Sequence, residues 1–242
     1  FFAAARPLVI IGPLAYPTRQ WRRPLPPWTK GGRRAATSGI GATRGGWRSV
    51  KTAVFEPAAV PLGRGWTMAD LAELVKARLT FLVLLTTAVG FYLGWRGPMD
   101  FVALLHAVFG TALAAAGAAA LNQWWEHKYD AIMIRTQMRP IPSGRMTPRE
   151  GLIVGTLLGL AGVIYLAVAV NFLSALLAAA TIGIYLFAYT PLKRISTANT
   201  LVGAIPGALP PLIGWTAARN DLAFPAWTLF GILFFWQLPH FF

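Results

Sequence analysis

Leu152-Ile-Val-Gly-Thr-Leu-Leu-Gly-Leu-Ala-Gly-Val-Ile-Tyr-Leu-Ala-Val-Ala-Val170 contains no charged residue and no proline. Coiled as an α-helix, a run of this length rises roughly 29 Å, enough to cross a hydrocarbon core of ~30 Å. With Gly151 before it, Gly155 and Gly159 repeat at every fourth position, which puts them in one ridge where a second helix can approach closely. One such run is ambiguous, because the core helix of a large soluble protein can look the same. Its neighbours decide the matter.

Apolar segments recur on both sides. They cover about Leu79–Trp95 and Phe101–Leu121 upstream, and Phe172–Tyr189, Ala198–Ala217 and Leu222–Leu238 downstream. The fifth in chain order, Ala198–Ala217, is interrupted by Pro206, Pro210 and Pro211. The second carries a small-residue run from Ala112 to Ala120 that includes Gly117. Six such segments in succession predict an all-α, polytopic transmembrane helix bundle. The totals agree: 56% of residues are apolar and only 12% charged, about half the charge of a soluble domain. A lipid-facing surface demands that deficit, since an ionised group at the bilayer centre costs several kcal/mol. The chain has no cysteine, which excludes a disulfide framework, an iron–sulfur cluster and a thiol nucleophile.

The net charge of +14 is unevenly placed. Residues 1–67 hold eleven Lys/Arg against one acid, Glu56, and are rich in glycine, proline and tryptophan without helical or strand periodicity. That composition predicts a disordered or non-native extension. An amphipathic presequence is disfavoured by Pro7, Pro13, Pro17, Pro24, Pro26 and Pro27. Basic charge alone gives only non-specific affinity for nucleic acid, so no nucleic-acid partner is expected. Residues 68–242, which open at the first methionine, Met68, form the membrane domain.

Positive charge sets the orientation. Lys76, Arg78, Lys128, Arg135, Arg139, Arg145, Arg149, Lys193 and Arg194 fall in one set of alternate loops, and only Arg96 and Arg219 in the other. The richer set marks the cytoplasmic face. His240, near the last residue, falls on that face as well.

The same face carries the residues suited to chemistry. The second helix ends Leu121-Asn122-Gln-Trp-Trp-Glu126-His-Lys-Tyr-Asp130. Steps of four residues rotate only ~40°, so Asn122, Glu126 and Asp130 form one stripe. Two carboxylates and an amide at the membrane boundary make a hard-oxygen site suited to Mg2+, which takes one or two carboxylates and completes its shell with water and phosphate oxygens. A solvated helix end is the competing explanation. Next comes Arg135-Thr-Gln-Met-Arg139-Pro140-Ile-Pro142-Ser143-Gly144-Arg145. Arginine grips phosphate with paired charge-assisted hydrogen bonds, while the prolines and glycine fix a compact loop. The positive-inside bias explains the arginines but not the turn residues between them. A metal stripe followed by an anion clamp reads as a diphosphate site. Tyr189-Thr-Pro-Leu-Lys193-Arg194 adds a phenol and cations on that face.

These motifs resemble the first signature of the UbiA-type intramembrane prenyltransferases. Within that superfamily the chain is most similar to the haem-farnesylating branch, through Glu126 as the middle acid, Tyr189–Arg194, the run Gly203-Ala-Ile-Pro-Gly-Ala-Leu-Pro-Pro211 with Gly214-Trp215, and Trp236-Gln-Leu-Pro-His240-Phe. The resemblance covers about residues 70–242. It implies a bundle of nine helices, of which six are present, with two acidic motifs facing one cavity, of which only the first is present. It further implies Mg2+ held by Glu126, Asp130 and Asn122, and farnesyl diphosphate bound through Arg135, Arg139, Arg145, Lys193 and Tyr189. Haem B is the implied acceptor, with His240 a candidate contact, and haem A synthesis the implied next step. The implied location is a bacterial inner membrane, or the mitochondrial inner membrane in a eukaryote. Trp124, Trp125 and Tyr129 are candidates to face an allylic cation, though interfacial anchoring explains them equally well. His106, within an apolar segment, is expected to be a packing residue. The alternatives are prenylation of an aromatic quinone precursor and, from a different class, a transporter with a proline-broken helix at mid-membrane. The acids gather at one face, which disfavours transport.

Overall fold

A computed structural model of the chain describes residues 65–193, 195, 196 and 198–240. All but three residues of the basic 1–67 extension therefore lie outside the described part. Every regular element within it is helical. A short helix α1 (Met68–Leu74) leads into α2 (Ala77–Gly94), α3 (Phe101–Asp130), α4 (Pro148–Ala169) and α5 (Phe172–Leu192). The proline-rich span Asn199–Arg219 comprises α6 (Asn199–Ala208) and α7 (Pro210–Arg219), and α8 (Phe224–Gln237) ends in a 3-10 turn, Leu238–His240. The spans α2, α3, α4, α5 and α6–α7 are long and apolar enough to cross a membrane, and the chain is a multi-pass membrane protein.

The boundaries follow from local chemistry. Thr147 caps α4 by accepting from the Glu150 N–H at 3.2 Å, while Glu150 returns to the Thr147 N–H at 2.7 Å, a reciprocal capping box. Asp100 accepts from Val102 and Ala103 to start α3. α3 runs to Asp130 and carries its polar stripe as helix, as the sequence reading expects. One span differs from that reading. α8 is only 14 residues long, started by Pro225 in its first turn and stopped just before Pro239. The prolines of the fifth segment divide it as expected, with the break at Leu209.

Small residues let the helices touch. A Cβ added to Gly117 would run into the backbone of Gly159, and one on Gly162 into Ala114 and Gly110. The predicted ridge on α4 therefore packs against α3, backbone to backbone. α2 and α7 meet in the same way, through Gly90 against Pro211 and Gly214 against Thr87. Large side chains such as Phe81, Leu85, Leu157 and Ile164 remain exposed on the outside of the bundle, where lipid would cover them. Because helices alternate in direction, the end of α3, the loop before α4 and the end of α5 share one end of the bundle.

Candidate functional site

Asn122, Glu126 and Asp130 are 2%, 3% and 4% exposed. That excludes the solvated-end explanation, because two carboxylates this deep must be paired. Trp125, Lys128 and Tyr129 occupy the exposed side of the same turns. Glu126 is met by the Lys193 ammonium at 2.7 Å, and Asp130 by Arg139 at 2.6 Å. The Asn122 amide bridges the group. Its Nδ2 donates to Glu126 Oε2 at 3.2 Å and to the Thr190 hydroxyl at 3.1 Å. Its Oδ1 accepts from Lys76 Nζ at 3.2 Å and from the Tyr185 hydroxyl at 3.3 Å.

The partners on α5 owe their place to a proline. Pro191 has no N–H to give to the preceding turn and crowds the carbonyl four residues back. The turn ahead of it, Ile184–Tyr189, is a π-helix, and the Thr190 hydroxyl donates to the Tyr185 carbonyl at 2.8 Å. Wide turns of this kind often occur at functional sites. Here it stacks the rings of Tyr185 and Tyr189 at 5.4 Å and 14°, with Lys193 one turn further on. Tyr185, Tyr189 and Lys193 repeat every fourth position, as do Asn122, Glu126 and Asp130. Two polar stripes on neighbouring helices therefore face one another. Tyr185 had not been singled out, and that shared spacing is the signal that could have found it.

Lys76 also entered the sequence reading only as a topology charge. It stands at the corner between α1 and α2, half-buried, with a left-handed backbone of φ 51° and ψ 53°. For a residue with a Cβ this conformation costs roughly 1–2 kcal/mol. Burial, with the Arg139 charge nearby, pushes its ammonium down to about 8, although Glu126 and Asp130 pull the other way.

The loop between α3 and α4 is compact, as predicted. Gly144 takes φ 79°, Pro140 is buried, and the Thr136 hydroxyl donates to the Asp130 carbonyl at 3.1 Å. Its arginines divide. Arg139 reaches the stripe, Arg135 is exposed, and Arg145 is engaged with α1, donating to Asp70, to the Met138 carbonyl and to Glu73 at 3.0 Å. Together with the Thr67 N–H and hydroxyl, Arg145 holds the Asp70 carboxyl below its usual range, Thr67 being the larger cause. Gln123 completes the docking of α1, donating to the Glu73 and Leu74 carbonyls at 2.9 and 2.8 Å. The side chain of His240 lies outside the described residues. His106 packs at the other end of the bundle, with its Nδ1 2.6 Å from the Tyr165 hydroxyl.

The donor set suits a hard cation. Two buried carboxylates sit one turn apart on one helix face, and among the described residues no three His, Asp or Glu gather in one metal cage. Magnesium needs no such cage when a phosphate ligand completes its shell. Around the carboxylates stand Lys76, Arg139 and Lys193, more cation than two acids require. An excess of cations in a partly desolvated site is complementary to an anion carrying several charges.

The model of the UbiA prenyltransferase family matches residues 83–242. Among curated relatives, a protoheme IX farnesyltransferase of Solibacter usitatus is 46% identical over 184 residues, covering 72% of this chain and 63% of that protein. One of Opitutus terrae is 47% identical over 172 residues, covering 71% and 58%. The human mitochondrial protoheme IX farnesyltransferase is 42% identical over 195 residues, covering 81% and 42%. The chain thus spans about three-fifths of the length of these bacterial relatives and less of the human one. It belongs to the UbiA prenyltransferase family.

Proposed function

We propose that the protein transfers a farnesyl group from farnesyl diphosphate to a vinyl group of haem B, giving haem O, and that the residues described here form the diphosphate-binding half of its site. The observation that carries this reading is the pair of buried carboxylates ringed by Lys76, Arg139 and Lys193 at one end of the bundle. The acceptor is supported by what the relatives are called.

In the proposed reaction the allylic C–O bond breaks and its electron pair leaves with the diphosphate. The π pair of the vinyl group bonds its outer carbon to the farnesyl cation and leaves the positive charge on the inner one. Water then takes the resulting cation beside the porphyrin and loses a proton, leaving a hydroxyl. Ionisation is the difficult step, because negative charge grows on the leaving group. Glu126 and Asp130 would hold Mg2+, which supplies positive charge to that group when bound. Lys193 and Arg139 pair with these carboxylates in the structure and have the length to turn to diphosphate oxygens, while exposed Arg135 is free to join them. The stacked faces of Tyr185 and Tyr189 are electron-rich walls suited to an allylic cation, and better placed for that than exposed Trp125 and Tyr129. The wider role is supply of haem O for haem A and the haem–copper oxidases. The setting is the inner membrane of a bacterium, or the mitochondrial inner membrane in a eukaryote.

Membranes carrying the protein, given farnesyl diphosphate, Mg2+ and either haem B or 4-hydroxybenzoate, test the reading. Haem O alone is the expected product. A prenylated benzoate without haem O would reassign the protein to quinone-precursor chemistry.

A further inference from the structure

We infer that Lys76 is a diphosphate-binding residue, and that Asn122 is the positioning residue that ties it to Glu126. The inference rests on the diphosphate reading above and adds to it a cation from a helix that the acidic and arginine motifs do not include.

The backbone makes the first case. Lys76 follows the last turn of α1, and its N–H donates to the Glu73 carbonyl at 3.2 Å, as a residue just past a helix end commonly does. The left-handed conformation found here is normally filled by glycine, or by asparagine as at Asn220. Gly97 and Gly144 fill two other such positions in this chain. A lysine accepts the strain without helping the turn, so its side chain is what the position retains.

The second case comes from the side chain. Its described hydrogen bonds go to two neutral oxygens, Asn122 Oδ1 at 3.2 Å and the Tyr185 hydroxyl at 3.5 Å. Lys193 and Arg139 each hold a carboxylate. An ammonium has three protons to donate and a full charge to balance. Glu126 and Asp130 attract this charge, but no carboxylate is among its described hydrogen-bond partners, so Lys76 keeps capacity for an anion that enters between the two stripes.

The third concerns Asn122. Its carbonyl oxygen is occupied by Lys76 and Tyr185, and its N–H groups by Glu126 and Thr190. The reverse orientation of the amide would set NH2 against an ammonium and oxygen against a carboxylate, so the chemistry fixes the direction. With every described contact directed to another side chain, Asn122 orients the cation and the acid relative to one another.

The experiment measures binding of inorganic pyrophosphate with Mg2+, by calorimetry, to the full chain in lipid nanodiscs. Lys76→Gly suits the left-handed turn, so its thermal midpoint should equal or exceed that of the parent protein. Its pyrophosphate affinity should fall about tenfold, the size of one charge-assisted hydrogen bond. Lys76→Arg should bind within about threefold of the parent, since it keeps the charge. Parent-like affinity in Lys76→Gly would overturn the inference and leave the diphosphate reading standing. Equal losses in both variants would overturn it as well, because charge would not be what counts. A parent protein that fails to bind pyrophosphate would remove the diphosphate reading itself.

Discussion

The two ends of the bundle both bury polar groups, and they do so in opposite ways. At the end away from the stripe, Asn171 Nδ2 donates to the Thr216 carbonyl at 2.7 Å, Ser174 and Thr216 exchange a hydroxyl bond at 2.9 Å, and His106 meets Tyr165. These buried contacts are neutral, and each joins one helix to another; charge at that end sits nearer the surface, where Arg219 meets Asp221 at 3.2 Å. At the stripe end, two carboxylates and three cations meet, and a lysine is turned toward neutral oxygens at the expense of backbone strain. Neutral pairs at membrane depth hold helices together for little cost. Full charges cost much more when buried, and the burial of Glu126 and Asp130 at one end marks where a charged ligand is handled.

The largest expected effect tests whether the charged end is chemical at all. Glu126→Gln and Asp130→Asn preserve shape and remove one negative charge each. Each should lower kcat/KM for haem O formation at least ~10²-fold, the scale of losing one preorganised charge-stabilising group. Membrane insertion should be unchanged, since the apolar spans that direct it are untouched. Haem O yield and membrane recovery are measured side by side. Normal turnover in both variants at limiting Mg2+ would reduce the stripe to another structural cluster and erase the contrast.

A smaller effect separates arginines that the sequence had grouped. Arg139→Ala removes the partner of Asp130 and should raise the KM for farnesyl diphosphate about tenfold, with less change for haem. Arg145→Ala should leave both KM values within about twofold. Its cost falls on α1, and amounts to about 1 kcal/mol, because Arg145 is a third exposed and Asp70 keeps both Thr67 bonds. Steady-state kinetics on the two variants decide it. If Arg145→Ala matches Arg139→Ala, the whole loop clamps diphosphate and Arg145 belongs with Arg139.

That division also shows where sequence reading stops. The spans of the bundle were legible because lipid demands unbroken apolar runs, and the glycine ridge because close helix contact demands small residues. The stripe was legible because both acids lie on one helix, where spacing alone fixes their direction. Arg145 was grouped with Arg139 because spacing within a loop says nothing about direction, and Asp70, its partner, lies 75 residues away. Lys76 was passed over for a similar reason. Its role depends on a left-handed corner and on Asn122, 46 residues on, and no local pattern encodes either. Tyr185 shares a legible spacing with Tyr189 and Lys193, but its partner Asn122 lies 63 residues away.

The smallest expected effect bears on the quiet end of the molecule. Tyr165→Phe removes the hydroxyl that meets His106 at 2.6 Å and leaves the ring in edge contact with Phe109, whose centroid lies 5.1 Å away. Packing is therefore kept and one hydrogen bond lost. Such bonds between membrane helices average about 0.6 kcal/mol, because the separated helices find other partners. Unfolding in mixed detergent micelles should shift by no more than this amount, and haem O formation should be unchanged within error. His106 precedes Asn122 by more than four helical turns, roughly 24 Å along α3, so no diphosphate bound at the stripe could reach it. A tenfold fall in turnover with stability intact would show that the neutral end also takes part in the reaction, and the line between charged and neutral polarity would have to be drawn elsewhere.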